Sequence, residues 1–471
     1  MKVLVVGAGG REHAIVRALA RSPQQPELLC APGNAGIAAD ARLLEIPVDD
    51  IEWLLTAVER EDVDLTVVGP EVPLVGGLVD ALAARGRLAF GPSAAAAWLE
   101  GSKAFAKDAM ALAGVPTARW SRVQSLQEGL DAVRELTNAP GSPGVGVVIK
   151  ADGLAAGKGV TVADTSEQAE AALREIFVEG RFGDGEASAV IEERLTGEEL
   201  SLLAVCDGER AVALEPARDF KRIGEGDEGP NTGGMGSYSP VAGFDEERVR
   251  EILATVHQPI VDLMRERGTP FLGILYAGLM LTPDGLRVLE YNVRFGDPET
   301  QAVLPRLRSD LLDVLLRAAR PGGLEGVRLE WSPACAVTVV LASAGYPESS
   351  STGDVIAGLE QFRERYGDAG AERAVDSGMA VELTHAGTAR TSAGVVTAGG
   401  RVLNVTALGA EPGSARAAAY AAAEMISFDG MQLRSDIAAD AVDVAEQTRA
   451  AEMSAPERTR AKRRRWRRGA A

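Results

Sequence analysis

The sequence predicts an α/β protein of several domains, and three of its features lead to this prediction. The chain has 471 residues, 46% of them hydrophobic, which is too many for one ordinary core. Apolar, strand-like runs alternate with helical patterns, as they do in parallel sheets covered by helices. Aromatic residues make up only 4% of the chain while glycine occurs 53 times, and this composition favours an α/β enzyme over an all-β or coiled-coil protein.

The first predicted domain covers residues 1–101 and contains a parallel sheet. A β-branched run at residues 2–6 precedes glycines and a helical pattern at residues 13–20, so this segment should form a strand, a loop and a helix. The pattern continues with strands at residues 27–30 and 65–68 and a helix at residues 51–59. Loops that follow the strands should meet at the carboxyl edge of the sheet, where α/β domains bind ligands.

A second α/β unit is predicted at residues 102–322. It should open with a helix at residues 102–113, which the segment GVP ends. The later segment VVIKADGLAAGKGVTVADT predicts a strand, a glycine loop and a second strand, because β-branched runs flank the glycines. A helix at residues 310–319, stopped by PGG, closes the unit.

The remaining chain divides into a small α+β domain at residues 323–430 and an extension at residues 431–471. A strand that begins at Cys335 and an alanine-rich helix at residues 414–426 bound the small domain, in which we predict no catalytic cluster. The extension ends in arginines around Trp466 and is predicted to be disordered.

Charge and cysteine usage exclude several classes of protein. The net charge of −19 opposes nucleic-acid binding by the folded body, although the basic end would suit a nucleic-acid-binding or nucleotide-sensing regulator. Three scattered cysteines predict buried thiols rather than disulfides or zinc ligands. The first apolar run is too short for a signal peptide or a membrane span, so we expect a cytoplasmic protein without membrane contact.

The opening motif GAGGREHA places Gly10, Arg11 and Glu12 where a glycine turn meets a helix N-terminus. The dinucleotide fingerprint requires a third glycine where this chain has Glu12, and an acidic residue after the second strand where it has Ala31, which disfavours an NAD site. Free N–H groups and the charge of Arg11 would still suit the phosphate of a substrate. A tight turn needed only for packing is the alternative interpretation.

Two further loops bring polar side chains to the same predicted sheet edge. Asn34 lies in PGNAG and Glu71 in GPEVPLVGG, each directly after a strand. Their convergence indicates recognition of ribose and phosphate. Turn chemistry explains the prolines and glycines equally well, but it explains Glu71 less well.

Two lysines accompany the glycine loop of the second unit. Lys150 ends a buried strand and Lys158 lies within GLAAGKGV, which together predict a site that cradles phosphate. The loop is not a Walker A motif, because its spacing is too short and Gly159 stands where Ser or Thr is required. A glycine hairpin with an exposed lysine is the alternative.

The segment VLEYNVRFGDPETQ carries the clearest chemical pattern. Strand alternation places Glu290, Asn292 and Arg294 on one face. Oxygen ligands from Glu and Asn suit Mg²⁺, which keeps several waters and shares phosphate oxygens with its protein ligands. A guanidinium would then lie beside a bound cation, whereas a purely structural role would leave several ionisable groups buried without purpose.

Two acidic or glycine-rich segments complete the set of candidates. In VIEERLTGEEL, Glu192 and Glu193 end an apolar run, where backbone groups could bind adenine and Glu199 could bind ribose hydroxyls. A solvated acidic strand end is the alternative. The long segment from Asp219 to Pro240 is typical of a binding loop, in which Asp219 could hold an amino group, rather than of a flexible linker.

Together these motifs resemble one family. The segments GAGGREHA, PGNAG, GPEVPLVGGLVD, GSKAFAKD, KADGLAAGKGV, PNTGGMGSYSP and NVRFGDPETQ occur in the order typical of phosphoribosylamine-glycine ligases, the glycinamide ribonucleotide synthetases of the ATP-grasp superfamily. The likeness extends from Met1 to about Ala438. It implies a pre-ATP-grasp N-domain, a central ATP-grasp domain of two subdomains and a small C-terminal domain. GREHA and NTGGMG argue against a different ATP-grasp ligase or carboxylase.

The resemblance also implies an activity and a set of site residues. The enzyme would join glycine to 5-phosphoribosylamine through glycyl phosphate, with ATP converted to ADP, and would act as a monomer on small molecules alone. Contacts to the nucleotide are implied for Lys107, Lys150, Glu192, Glu193, Leu195 and Glu199. Glu290 and Asn292 would bind Mg²⁺ or Mn²⁺, and Arg294 and Asp219 would lie near glycine and the transferred phosphoryl group. Lys150 and Lys158 would stabilise the charge of that group. One departure is Phe220, which stands where many relatives have His.

Overall fold

A computed structural model of the chain describes residues 1–138, 146–154, 159–181, 187–367 and 380–454. It confirms the predicted α/β architecture of several domains, which is built on four main sheets. Among the described residues, no helix is long and apolar enough to cross a membrane.

A five-stranded parallel sheet with the strand order β3-β2-β1-β4-β5 forms the first domain. Its elements are β1 (Lys2–Gly7), α1 (Gly10–Ala20), β2 (Glu27–Pro32), α2 (Ile37–Asp40), β3 (Arg42–Leu43), α3 (Ile51–Glu61), β4 (Leu65–Val68), α4 (Glu71–Val75), α5 (Leu78–Ala84), β5 (Ala89–Phe90) and α6 (Ala94–Gly101). Strand β1 is buried on both faces, because Val3 and Val5 pack on the side of α1 while Leu4 and Val6 pack on the side of α3. Helix α1 begins at Gly10, earlier than the apolar pattern predicts, so the motif residues Arg11 and Glu12 lie in its first turn.

The central region contains two antiparallel sheets. The smaller has the order β6-β9-β7-β8 and the larger the order β11-β10-β16-β17. The elements of the region's first part are α7 (Lys103–Ala113), β6 (Trp120–Val123), α8 (Leu126–Asn138), β7 (Val147–Ala151), β8 (Val160–Ala163), α9 (Ser166–Phe177) and β9 (Ala189–Glu193). Those of its second part are β10 (Glu198–Asp207), β11 (Ala211–Ala213), β12 (Arg218–Asp219), β13 (Arg222–Gly224), β14 (Glu228–Asn231), β15 (Gly236–Ser239), α10 (Glu246–Ile252), α11 (Gln258–Glu266), β16 (Leu272–Thr282), β17 (Gly285–Asn292), α12 (Glu299–Val303) and α13 (Leu311–Ala318).

The two central sheets differ in how they are anchored. The larger sheet shares its core with the first domain, since Leu202 and Leu275 pack in the cluster that contains Leu4. The smaller sheet packs on α8 and α9 in a separate core of its own. The smaller sheet therefore forms a distinct subdomain beside a larger, continuous body.

The last of the four main sheets belongs to the third, C-terminal domain, is called the third sheet below and has the order β12-β15-β18-β22-β19. The C-terminal part of the chain contains β18 (Cys335–Ala342), α14 (Leu359–Tyr366), β19 (Ala380–His385), β20 (Thr388–Thr391), β21 (Gly394–Thr397), β22 (Arg401–Gly409), α15 (Pro412–Ala423) and α16 (Ala439–Ser454). Two of its strands, β12 and β15, come from the range predicted to be the central domain, and β15 pairs directly with β18. The predicted boundary at residue 322 therefore does not separate the strands of this sheet.

Residues that follow the third sheet differ from the prediction of a disordered extension that begins at residue 431. Gln432 and Ala342 exchange backbone hydrogen bonds of 2.8 Å. Arg434 and Ile437 are fully buried, and Ala441 packs in the core of the third sheet. The sequence signal was weak here, because one buried arginine among polar residues does not produce an apolar pattern. The basic end around Trp466 lies outside the described residues.

Candidate active site

Two buried lysines share one carboxylate on a face of the smaller sheet, at its two inner strands. Lys150 Nζ lies 2.7 Å from Glu192 Oε1, and Lys107 Nζ lies 3.1 Å from Glu192 Oε2. Strand pairing produces this cluster, because β7 and β9 are antiparallel neighbours, while Lys107 reaches it from α7. Burial lowers the pKa of Lys107 to about 8, and the charge of Lys150 adds to this effect while Glu192 opposes it. Two cations against one anion leave a positive site that suits phosphate.

The cluster is joined to the larger sheet by hydrogen bonds. Lys150 Nζ donates to Leu289 O at 2.9 Å, and Lys107 Nζ donates to Thr117 Oγ1, which donates to Val288 O at 2.6 Å. Both carbonyls belong to β17, the strand that carries Glu290 and Asn292. The lysine cluster and the predicted metal ligands are thus neighbours.

Glu193, Leu195 and Glu199 lie where the chain passes from the smaller to the larger sheet. The carboxylate of Glu193 accepts hydrogen bonds from the backbone N–H of Arg119 at 2.8 Å and from its guanidinium at 2.6 Å. A nucleotide would therefore meet the backbone of Glu193 rather than its side chain. Leu195 is half-buried in this connection. Glu199 Oε2 lies 2.9 Å from Lys221 Nζ, whose charge is the main cause of a lowered pKa at Glu199.

The predicted metal ligands occupy alternate positions at the end of β17. Burial acts to raise the pKa of Glu290, but the charges of Lys221, Lys150 and Lys103 outweigh it and lower that pKa. Glu290 is therefore an anion at neutral pH. Asn292 Oδ1 accepts a hydrogen bond of 3.4 Å from Arg294. Within the described parts of the chain, no three His, Cys, Asp or Glu residues lie together as a metal-binding group, so Glu290 and Asn292 would share an ion with waters and phosphate oxygens.

Arg294 is held by two carboxylates of the first domain. Its Nη2 lies 3.1 Å from Glu100 Oε1 and its Nε lies 3.5 Å from Glu71 Oε2. Glu100 also accepts a hydrogen bond of 2.7 Å from Val293 N, and burial raises its pKa. Sequence reasoning identified Arg294 and Glu71 but missed Glu100, which ends a helix and has no motif of its own.

Arg11 reaches from α1 towards the same loop. Its Nε donates to Glu12 Oε1 at 2.5 Å and its Nη1 donates to Phe295 O at 3.2 Å. Glu12 is buried and also accepts a hydrogen bond of 2.6 Å from Gly9 N. A Cβ atom at Gly69 would overlap the Glu12 carboxylate. Glu12 therefore fixes the glycine turn, and its side chain faces the protein rather than an open site.

Both polar atoms of the Asn34 side chain form hydrogen bonds with the protein backbone. Its Nδ2 donates to Ala8 O and His385 O, each at 2.8 Å, and its Oδ1 accepts from Gly36 N at 2.9 Å and Ile37 N at 3.0 Å. The amide thus has no hydrogen-bonding capacity left for the ribose that the sequence suggested. Asn34 instead connects the first-domain loop to β19 of the third sheet.

Asp219 lies in a buried acidic network. Ser201 Oγ lies 3.4 Å from Asp219 Oδ1 and 3.1 Å from Glu299 Oε1, and Tyr276 donates to Glu299 Oε1 at 2.9 Å. Burial raises the pKa of Asp219 to about 7, against the charge of Lys221 and with the help of Glu299 and Glu199. A buried carboxylate that changes charge near neutral pH is suited to an ammonium ligand. Tyr276 and Ser201 had no recognisable sequence signal, whereas Glu299 lies in the segment VLEYNVRFGDPETQ. Lys158 lies outside the described residues.

Two meeting sheets, with a lysine pair on one side and the side-chain oxygens of Glu290 and Asn292 on the other, are the arrangement expected of an ATP-grasp enzyme. Three family models cover the chain and agree with this class. They are the N domain, the ATP-grasp (A) domain and the C domain of phosphoribosylglycinamide synthetase, matched at residues 1–100, 101–300 and 336–440. The chain belongs to the phosphoribosylglycinamide synthetase family of ATP-grasp ligases.

Individual relatives agree with the family assignment. The chain is 50% identical to the phosphoribosylamine-glycine ligase of Streptomyces coelicolor, over 94% of this chain and 99% of that one. It is 48% identical to the ligase of the same name from Xylella fastidiosa, over 93% and 97%. The crystal structure of phosphoribosylamine-glycine ligase from Thermotoga maritima matches with a TM-score of 0.75 at 33% identity, over 93% of this chain and all of that one. A biotin carboxylase from Campylobacter jejuni, at 14% identity and a TM-score of 0.65, shares the fold alone. The resemblance inferred from the motifs is confirmed.

Proposed function

We propose that the protein joins glycine to 5-phosphoribosylamine and converts ATP to ADP and phosphate, as a monomer in the cytoplasmic synthesis of purines. The observation that carries the proposal is the contact between the buried cluster of Lys107, Glu192 and Lys150 and the strand that bears Glu290 and Asn292. This contact supplies phosphate-binding cations and cation-binding oxygens at one point. Family membership supports the choice of substrates.

The nucleotide is bound where the two central sheets meet. Lys107 and Lys150 neutralise phosphate oxygens, and the short connection around Glu193 and Leu195 offers its backbone groups to the adenine ring. Glu199 is ionised beside Lys221 and accepts hydrogen bonds from ribose hydroxyls. Lys158, in the glycine loop, is proposed to add a further cation near the γ-phosphoryl group.

The residues at the end of β17 fit Mg²⁺ or Mn²⁺. Glu290 supplies an ionised carboxylate and Asn292 an amide oxygen, which together are the hard ligands that such ions prefer. When bound, the ion would neutralise developing charge on the phosphate oxygens. The region around Glu290 also carries the positive charges of Lys103, Lys150 and Lys221. These side chains attract the polyphosphate towards Glu290.

The reaction has two chemical steps. A carboxylate is a poor electrophile, so a glycine carboxylate oxygen first attacks the γ-phosphorus of ATP, which gives glycyl phosphate and ADP. The amine of phosphoribosylamine then attacks the acyl carbon, phosphate leaves and the amine loses a proton. Asp219 holds the glycine ammonium group and Arg294 stabilises the transferred phosphoryl group. Catalysis therefore depends on positioning and charge neutralisation rather than on a covalent enzyme intermediate.

Phosphoribosylamine binds at the N-terminus of α1. The backbone N–H groups around Gly10 and the guanidinium of Arg11 favour its anionic group, and Glu71 lies at the same sheet edge. Glu12 and Asn34 act indirectly, because their side chains hold the two loops in shape.

A substrate-omission assay tests the proposal. ADP and glycinamide ribonucleotide should form together only when protein, ATP, Mg²⁺, glycine and freshly made phosphoribosylamine are all present. Omission of either amine-containing substrate should reduce ADP formation strongly. Equal ADP formation without glycine or without phosphoribosylamine would refute the ligase assignment.

A further inference from the structure

An arginine of the third domain lies at the junction of the three domains. Arg401, the first residue of β22, donates from Nη1 to Asp297 O at 2.7 Å and to Gly233 O at 2.5 Å. Its Nη2 lies 3.2 Å from Asp297 Oδ2. One guanidinium thus binds two loops of the central region, the turn after β17 and the glycine turn before β15.

The carboxylate that Arg401 contacts lies beside the start of α1. Asp297 also accepts a hydrogen bond of 2.8 Å from Gln301 Nε2, and a Cβ atom at Gly9 would lie only 3.5 Å from Asp297 Oδ2. Burial acts to raise the pKa of Asp297, but the charges of Arg401 and then Arg11 lower it. The group is therefore an anion at the end of the helix where we place phosphoribosylamine.

The glycine turn is shaped to accept this arginine. Gly233 N donates to the Tyr346 hydroxyl at 2.8 Å, so two side chains of the third domain hold the backbone N–H and C=O of one residue. A Cβ atom at Gly233 would lie 2.9 Å from Arg401 Cζ. Gly234 has a φ of +107°, and a Cβ atom there would overlap the ring of Pro298. The paired glycines of NTGGMG thus allow close approach to Arg401 and to the Asp297 turn.

We propose that Arg401 is a positioning residue through which the third domain completes the phosphoribosylamine site. It holds Asp297 against the glycine turn of α1, where the carboxylate accepts hydrogen bonds from hydroxyl or amine groups of the aminosugar. The inference rests on the proposed function and assigns a role to a domain in which the sequence predicted no catalytic cluster. Arg401 has no contact with the Lys150 and Glu192 cluster in the described structure, so ATP binding should not depend on it.

Two substitutions and a control test this role. Arg401→Met removes the charge and the paired donors, whereas Arg401→Lys keeps the charge and loses the planar geometry. Arg390→Met, at an exposed arginine of β20 in the same domain, is the matched control. KM should be measured for phosphoribosylamine, glycine and ATP, together with kcat and the midpoint of thermal unfolding.

Arg401→Met should raise KM for phosphoribosylamine about ten- to a hundredfold and leave KM for ATP nearly unchanged. Arg401→Lys should recover part of the loss, and Arg390→Met should match the wild type. An equal rise in all three constants, or a lower unfolding midpoint with unchanged constants, would show a merely structural role and overturn the inference. If Arg401→Met does not fold, Arg401→Lys decides: a selective rise supports the role and an unchanged constant overturns it. Absence of ligase activity in the wild type would instead refute the proposed function.

Discussion

At the scale of single residues, central charged side chains of the site are each paired with two groups of opposite charge. Glu192 is shared by two lysines, and Arg294 is shared by two carboxylates. Removal of one member of such a buried group leaves its partners without compensation, which is costly in a protein interior. Substitutions that keep shape and hydrogen bonding are therefore more informative here than truncations to alanine.

Glu290→Gln tests the charged member of the proposed metal site. The amide keeps the size of the side chain but loses the charge that Lys221, Lys150 and Lys103 stabilise. We expect kcat to fall by about a hundredfold or more and the Mg²⁺ concentration for half-maximal activity to rise. Glu266→Gln, at an exposed position of α11, should behave as the wild type. Near-normal activity of Glu290→Gln at limiting Mg²⁺ would contradict the assignment.

Arg11→Ala tests the binding of phosphoribosylamine at α1. Loss of a charge-assisted hydrogen bond to the substrate should raise its KM roughly ten- to a hundredfold, with KM for ATP and glycine changed far less. The substitution also removes the ion-pair partner of Glu12 and the side-chain donor to Phe295 O, so a lower thermal midpoint is expected. Steady-state kinetics on folded protein separate the two effects. A rise in KM for ATP alone would mean that the first domain binds ATP rather than phosphoribosylamine.

The raised pKa of Asp219 predicts a dependence of glycine binding on pH. Below about 7 the carboxyl group is protonated and neutral, so it attracts the glycine ammonium group less. kcat/KM for glycine should therefore fall as the pH decreases through about 7, because only the ionised form binds well. In Asp219→Asn this acidic limb should disappear and KM for glycine should be high at all pH values. An unchanged limb in the variant would assign it to another group.

At the scale of elements, the segment from Gln432 to α16 holds the chain between β12, which carries Asp219, and β15. Arg434 donates to Arg222 O at 3.0 Å and Asp227 Oδ1 at 2.8 Å, and its guanidinium lies 5.0 Å from the Phe220 ring centroid. Asp440 accepts from Arg218 at 2.7 Å and from Tyr238 at 2.9 Å. Phe220 is therefore an apolar contact in the core of the third sheet.

Two C-terminal truncations should have different effects. Deletion of residues 455–471 removes the basic end and spares every contact just described, so ligase activity and the thermal midpoint should stay near wild-type values. Deletion from residue 432 onward removes Arg434 and Asp440 and should destabilise the loop, with lower activity and a lower midpoint. A regulator that used the basic end would instead lose its binding activity in the shorter deletion. Activity assays and thermal unfolding of both proteins distinguish these outcomes.

Local patterns predicted part of this architecture well. Alternation along β17 was enough to group Glu290 and Asn292, and the apolar runs located β1, β2 and β4 almost to the residue. The pairing of β15 with β18 could not be predicted, because register between distant strands has no local signature. For the same reason Glu100 and Arg401, which meet their partners across domains, were not recognised. Asn34 was recognised from its loop, but its hydrogen bonds show a structural role.

At the scale of the whole molecule, the third domain is an integral part of the enzyme. It contributes Arg401 and Tyr346 to the glycine turn and covers β15 with β18. The first domain and the larger central sheet share a core, while the smaller sheet has its own. The smaller sheet is therefore the part best able to change position relative to the others when nucleotide binds.

A fragment that ends at residue 322 tests this view of the third domain. It would leave the edge of β15 that faces β18 unpaired and expose the ring of Tyr238, which packs on Val337 in the intact protein. We expect low solubility or a lower unfolding midpoint than that of the full chain, with recovery when residues 323–471 are expressed together with it. An independently stable fragment 1–322 with the full-chain midpoint would contradict the expectation.

The third sheet also constrains how the protein is made. Strand β15 leaves the ribosome roughly 100 residues before β18, which at about 5–20 residues per second corresponds to about 5–20 s of synthesis. During that interval an unpaired edge and the glycine loop beside it are exposed to other nascent chains and to chaperones. The growing chain can bury β1 and its helices early, but the segment from β12, which carries Asp219, to β15 acquires its final shape only near the end of translation.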